Sequence, residues 1–190
     1  MSNYEIFDSF FDYQVKLMCA GIEATMTKKE SLYTCALALS TYTEIMGGLV
    51  TGNLKKSTEA RRNYEAFLPY LGEKYDELNN HIKTQYQNKL KNLYTAIRSK
   101  LVHEFALRES HAIWIYENAH EDRIGIELIS NKIEIAEIHH INFHIPEYYR
   151  DFRNGITKYY NELKDCRNHD VFDRVILSNF LKATVNNFQS

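Results

Sequence analysis

The sequence predicts a mainly α fold, a helical bundle carrying a small inserted antiparallel β-meander, and three observations lead there. Apolar residues recur at helical spacing over most of the chain. Breakers are scarce: 2 prolines and 7 glycines in 190 residues favour long helices and leave little material for a linker. Between about 111 and 145 the apolar period shortens to alternation, the mark of strands. A chain of this length supports one well-buried core rather than two. The expectation is therefore a single domain over 1–190, with the sheet inserted at about 111–145 and C-terminal helices at about 146–188.

Each element has its own signal. Phe7, Phe10, Phe11, Leu17, Met18 and Ile22 define a first helix over about Asn3 to Thr25. A second begins after Lys29 with Ser31 as its N-cap, buries Leu32, Cys35, Ala36, Leu39, Thr43 and Met46, and ends at Gly47-Gly48. After a turn at Thr51-Gly52-Asn53, a third runs from about Ser57 to Tyr70. A short piece at Glu73 to Asn79 leads into a long helix over about Ile82 to Leu107, with Tyr86, Leu90, Leu93, Ile97 and Leu101 as its stripe. Ile113 and Ile115, then Ile124, Ile126 and Leu128, then Ile133, Ile135 and Ile138 mark three strands. Turns are expected at Asn118 to Asp122 and at Ser130-Asn131, and Ile141 to Ile145 is a candidate fourth strand. Pro146 suits the first turn of the next helix, whose buried face is Tyr149, Phe152, Ile156, Tyr159 and Leu163. A final helix covers about Val171 to Phe188.

Composition excludes several classes of function. With a net charge of -2 the chain as a whole is not a basic nucleic-acid binder, so any such binding needs a local patch. Cys19, Cys35 and Cys166 are widely spaced and odd in number, which fits neither a disulfide framework nor a zinc site, and Cys19 and Cys35 read as buried thiols. The first residues lack a basic region followed by an apolar stretch. No segment offers the roughly 20 apolar residues that span a bilayer, so the expected location is the cytoplasm, away from membranes. The 14 tyrosines and 10 phenylalanines fit a core or interface built from rings that are apolar in body and wet at the tip.

Motifs for nucleotide, serine-hydrolase and metalloprotease chemistry are absent. Gly47-Gly48-Leu49-Val50-Thr51-Gly52 lacks the ending of a phosphate-binding loop and reads as a turn. On a strand, His140 and His144 share a side with Asn142 between them. A metal would need further ligands that nothing adjacent supplies, so the expectation is a polar strand face and no cofactor.

The stronger candidate is the segment Tyr94 to Phe105. From Asn79 to His103 there is no acidic residue, while Lys83, Lys89, Lys91, Arg98 and Lys100 are basic. On one straight helix Lys91 and Arg98 fall almost on a line, and such a line can follow a phosphate backbone; Lys91 and Lys100 are the phosphate-binding candidates. A basic face balanced by acids on neighbouring helices explains the same charges. Arg98 and His103 lie roughly 140° apart around a regular helix, so a shared site needs a bend, another helix, or a second copy of the chain.

The Arg98-x4-His103 arrangement, with the apolar Ile97 before it and Leu101-Val102-His103-Glu104-Phe105 continuing it, resembles the HEPN family (higher eukaryotes and prokaryotes nucleotide-binding). Its members carry an Arg-x4-6-His motif on a late helix of a bundle, and the segment from about Ser31 to Leu107 is compatible with that bundle. The resemblance implies metal-independent RNA cleavage at a homodimer cleft, of the kind found in toxin–antitoxin and phage-defence systems, with Arg98 and His103 catalytic. An unperturbed imidazole titrates near a pH of about 6.5, suiting His103 to take a proton from a ribose 2′-hydroxyl or give one to the leaving oxygen. Arg98 would hold the scissile phosphate with its planar fork. Glu44 is an ancillary candidate, orienting either residue, or else a solvent-facing carboxylate. Ser99 is a second ancillary position: many catalytic members have Asn, Asp or His directly after the arginine. That departure keeps open a silent module that binds nucleotide, RNA or a protein partner such as an antitoxin, and a purely structural dimerisation domain remains a third reading.

Overall fold

The computed structural model describes residues 8–54, 57–86, 90–103, 112–119, 123–133, 136–168 and 178–184; at 57, 103, 112, 131–133, 136–139 and 166–168 it describes the backbone alone. The fold is mainly α with a small β insertion, as the periodicity predicts.

Helix α1 opens with a π-helical stretch, Phe10–Val15, continued by Lys16–Met26. Each wide turn holds an extra fraction of a residue, which rotates the side chains that follow. Phe11, Val15 and Ile22 therefore face the core, while Leu17, expected inside, is 52% exposed. The predicted position of Phe7 lies outside the described residues.

Helix α2 (Leu32–Thr51) runs a full turn beyond its expected stop. Ser31 makes no side-chain cap, and the left-handed end is Gly52, at φ 73°. Gly47 and Gly48 act as a groove instead: a Cβ on Gly47 would collide with the Asn63 carbonyl, and one on Gly48 would come within 2.6 Å of the Leu54 side chain. Through that groove α3 (Ala60–Leu71) lies close against α2, burying Tyr64, Phe67 and Leu68. Asn63, itself buried, ties the junction by accepting from the Thr51 hydroxyl at 2.7 Å and donating to the Asn53 carbonyl at 3.0 Å.

Helix α4 (Glu73–Gln85) is followed by a break where one long helix was expected. Lys91 sits at φ 61°, left-handed backbone that no helix interior contains. Asn92 then caps the next helix, its side chain accepting from the Thr95 amide at 2.9 Å, and Asn79 reaches from α4 to accept from the Leu93 amide at 2.9 Å. Helix α5 comprises a π-helical turn, Thr95–Ser99, and Lys100–His103.

The strands are β1 (Ala112–Tyr116), β2 (Ile126–Ile133) and β3 (Ala136–His144), in the order β1-β3-β2. The expected antiparallel meander is corrected in three respects. β1 pairs with β3 in parallel, and only β2 and β3 are antiparallel. Ser130 and Asn131 lie within β2 rather than in a turn, and the candidate fourth strand is the second half of β3. Ile126, Ile141 and Phe143 are fully buried with Ile113, Ile115 and Leu128 packed beside them, so one sheet face closes on the helical core.

Helix α6 (Ile145–Asn168) starts directly from β3 with Pro146 in its first turn, and its Tyr149, Phe152, Ile156, Tyr159 and Leu163 are buried as the spacing predicts. A last helix, α7, covers 178–184, where Phe180 stacks on Phe11. No helix among the described residues is long and apolar enough to cross a membrane.

Candidate functional site

Helix α5 is fastened to α2 by two contacts one turn apart. The Tyr33 hydroxyl donates to the Leu101 carbonyl, and the Arg98 guanidinium donates through Nε to Glu44 Oε2 at 3.1 Å. In the Arg98–Glu44 pair both side chains are about four-fifths covered, at 19% and 22% exposure. Of the two ancillary candidates, Glu44 is the one brought to the arginine. Ser99 follows Arg98 at the end of the π turn, partly exposed.

Behind the pair lies a file of tyrosines. Tyr94 packs edge-on against Tyr64 with ring centroids 5.7 Å apart. Burial pushes the Tyr94 phenol up, the Glu44 carboxylate adds to that, and the Arg98 charge opposes it. The Tyr64 hydroxyl lies 3.2 Å from that of Tyr148, which lies 2.8 Å from the Thr43 hydroxyl. Tyr64 and Tyr148 are fully buried. Desolvation carries the Tyr64 phenol well above its ordinary value, with the neighbouring Tyr148 adding to it. Desolvation also dominates at Tyr148, pushed up to about 12 against the lowering effect of its bonds to Thr43 and Tyr64. Tyr75, edge-on to Tyr148, donates to Asp151 Oδ2 at 2.6 Å and accepts from the Gly125 amide at 2.8 Å. The hydroxyls of Thr43, Tyr148 and Tyr64 thus form a neutral, hydrogen-bonded spine joining α2, α6 and α3, with Tyr94 and Tyr75 packed edge-on against it. Its individual members escape sequence reasoning, because a tyrosine on an apolar stripe reads only as core; the tyrosine surplus was the one signal.

The remaining candidates are dispersed. His103 is the last described residue of α5, and its side chain lies outside the described residues. Lys91 is exposed on the break before α5, so the expected Lys91–Arg98 line along one straight helix does not form. Lys100, expected on a phosphate-facing surface, is buried at 7% exposure. Elsewhere on the acid-free segment Lys83 pairs with Glu65 at 2.9 Å. Acids on neighbouring helices thus meet Lys83 and Arg98, the balanced-face alternative. The π turn around Arg98 also departs from the uniform 100° step behind the 140° estimate.

His140 and His144 do share a face of β3 with Asn142, as the alternation predicts. Among the described residues, no group of three or more His, Cys, Asp or Glu side chains is placed to hold a metal. Cys35 is buried and Cys19 partly so, both with thiols pushed up chiefly by burial; the Cys166 side chain lies outside the described residues. No family model, curated protein or solved structure matches this chain.

Proposed function

We propose that the chain is an HEPN-like, metal-independent endoribonuclease, acting as a homodimer in a toxin–antitoxin or phage-defence setting with Arg98 and His103 as its catalytic pair. One observation carries the reading beyond the motif. Arg98 is held through Nε by Glu44 on a neighbouring helix, which fixes the guanidinium plane and leaves its terminal nitrogens as the fork for a phosphate. His103 follows five positions on in α5 and moves the proton, from the attacking 2′-oxygen or to the departing 5′-oxygen. The phosphorus–2′-oxygen bond forms as the phosphorus–5′-oxygen bond breaks, leaving a cyclic phosphate. Lys91 and Lys100 are the flanking phosphate candidates, Lys100 only where its burial is relieved by RNA or a second chain.

The test is incubation of the purified chain with structured RNA and a chelator, beside Arg98→Ala and His103→Ala. Wild type is expected to leave cyclic-phosphate ends, and both variants to fold and lose cutting by at least about 100-fold. Equal cutting by all three removes the site. Light scattering tests the dimer, and a strict monomer that still cuts removes the composite cleft.

A second reading, a silent module binding nucleotide, RNA or a protein partner, is favoured by two observations. Ser99 stands where many catalytic members have Asn, Asp or His, and Arg98 already has a carboxylate partner. Tight RNA binding with no cutting across varied RNAs selects it.

A further inference from the structure

The sheet has a second face, turned away from the helical core, and its composition is unusual for such a surface. The register places Trp114 beside Asn142 and Tyr116 beside His144 across β1 and β3, with Glu127 of β2 on the other side of Asn142. The Trp114 indole stacks on the His140 ring with centroids 4.5 Å apart and planes 23° from parallel. Tyr116 stacks on His144 in the same way, at 4.8 Å and 21°. Two ring pairs therefore stand along one face with the Asn142 amide between them, and His144 Nε2 lies 3.1 Å from Glu127 Oε2.

Two facts about this face call for a ligand. Trp114 is 53% exposed although one side of its ring is covered by His140. Next to it, Asn142 Oδ1 is out of water without a hydrogen-bond partner, as is Nδ1 of His144, a residue only 1% exposed. Unpaired polar atoms in such positions are costly to a native protein and are rare for that reason. A planar ring laid on the open side of the indole covers the first, and a turn of the Asn142 side chain that brings Oδ1 out to the N–H edge of that ring pairs the second.

We propose that this face is a binding site for a nucleobase. The base continues the Trp114–His140 stack and donates an amino or imino hydrogen to Asn142 Oδ1. Every base has a face for the first contact and at least guanine, adenine, cytosine and uracil have an N–H for the second, which makes the site tolerant of sequence. Choosing a nucleobase among planar rings rests on the RNA reading above. Helix α2 packs against both β1 and α5, so one rigid element carries the stacking face and the Arg98–Glu44 pair. The sheet would hold a base while α5 meets the backbone.

Trp114 is the single tryptophan, so its fluorescence reports this site alone. The whole chain is titrated with AMP, CMP, GMP and UMP, and with ribose 5-phosphate as the ligand without a base. Saturable quenching by the nucleotides and none by ribose 5-phosphate is expected. Asn142→Ala keeps the fluorophore and should weaken binding about tenfold. By calorimetry Trp114→Ala should weaken it by about 10- to 100-fold, with Trp114→Phe retaining most of it. No quenching by any nucleotide into the millimolar range, equal quenching by ribose 5-phosphate, or unchanged affinity in both Asn142→Ala and Trp114→Ala overturns the proposal. RNA cutting without quenching leaves the ribonuclease standing and removes this site; quenching without cutting does the reverse.

Discussion

Tyr148 holds its hydroxyl where water does not reach, between Thr43 and Tyr64, and that position has a consequence in alkali. Its phenol is pushed up to about 12 from an ordinary 10.0, chiefly by burial. Above pH 10 the native state then binds more protons than the unfolded chain, so stability falls as pH rises. The contribution is fully present below about 10 and is lost through the window up to about 12, about 2 kcal/mol from Tyr148 alone at the upper end. Tyr64 and Tyr75, also raised, act in the same direction. Urea midpoints should hold steady through neutral pH and drop above about 10, and Tyr148→Phe should drop less steeply. Parallel curves for the two proteins would remove Tyr148 from the account. At this scale the sequence was legible in part. Glu44 could be named as an orienting partner for Arg98 or His103 or else as a solvent-facing carboxylate, but that it meets Arg98 depends on how α2 and α5 cross, which no spacing within either helix encodes.

The break between α4 and α5 shows what helical periodicity misses. Tyr86, Leu90, Leu93, Ile97 and Leu101 keep their spacing across it, and the apolar members at 90, 93, 97 and 101 are all buried, so an apolar count sees one helix. The interruption is written in side-chain hydrogen bonding: Asn92 caps the new helix three residues on, and Asn79 reaches across the break to the Leu93 amide. Gly47-Gly48 lies inside α2 for a related reason: a glycine pair signals a stop or a close crossing, and only the partner helix decides. Lys91→Gly should raise stability by about 0.5–1 kcal/mol, since glycine adopts φ 61° without the left-handed penalty while losing more chain entropy. Gly47→Ala should lower it by about 3 kcal/mol or more, because the collision is with backbone that cannot turn aside. Thermal or urea denaturation measures both, and a neutral Gly47→Ala would contradict the close crossing of α2 and α3.

For the molecule as a whole, the balance of helix and sheet could be read from the sequence, whereas the strand order could not. Sequential strands usually pair, which is why a meander was the natural expectation. Here β1 skips β2 and lies along β3, a choice made by which chain segments the helices leave side by side. As edges with a partner on one side only, β1 and β2 should both show faster amide exchange than central β3. Amide exchange monitored by NMR checks this, and equal protection of β1 and β3 would contradict it. The hydroxyl contact between Thr43 and Tyr148 joins residues 105 apart in the chain. During synthesis, α3 can close the Gly47-Gly48 groove of α2 early, but the Thr43 hydroxyl waits for its Tyr148 partner through the whole time it takes to make the intervening chain. The tyrosine spine is thus a late lock: its loop-closure entropy falls due all at once, and the interval before it closes is when the half-made chain is most open to chaperones and to other copies of itself.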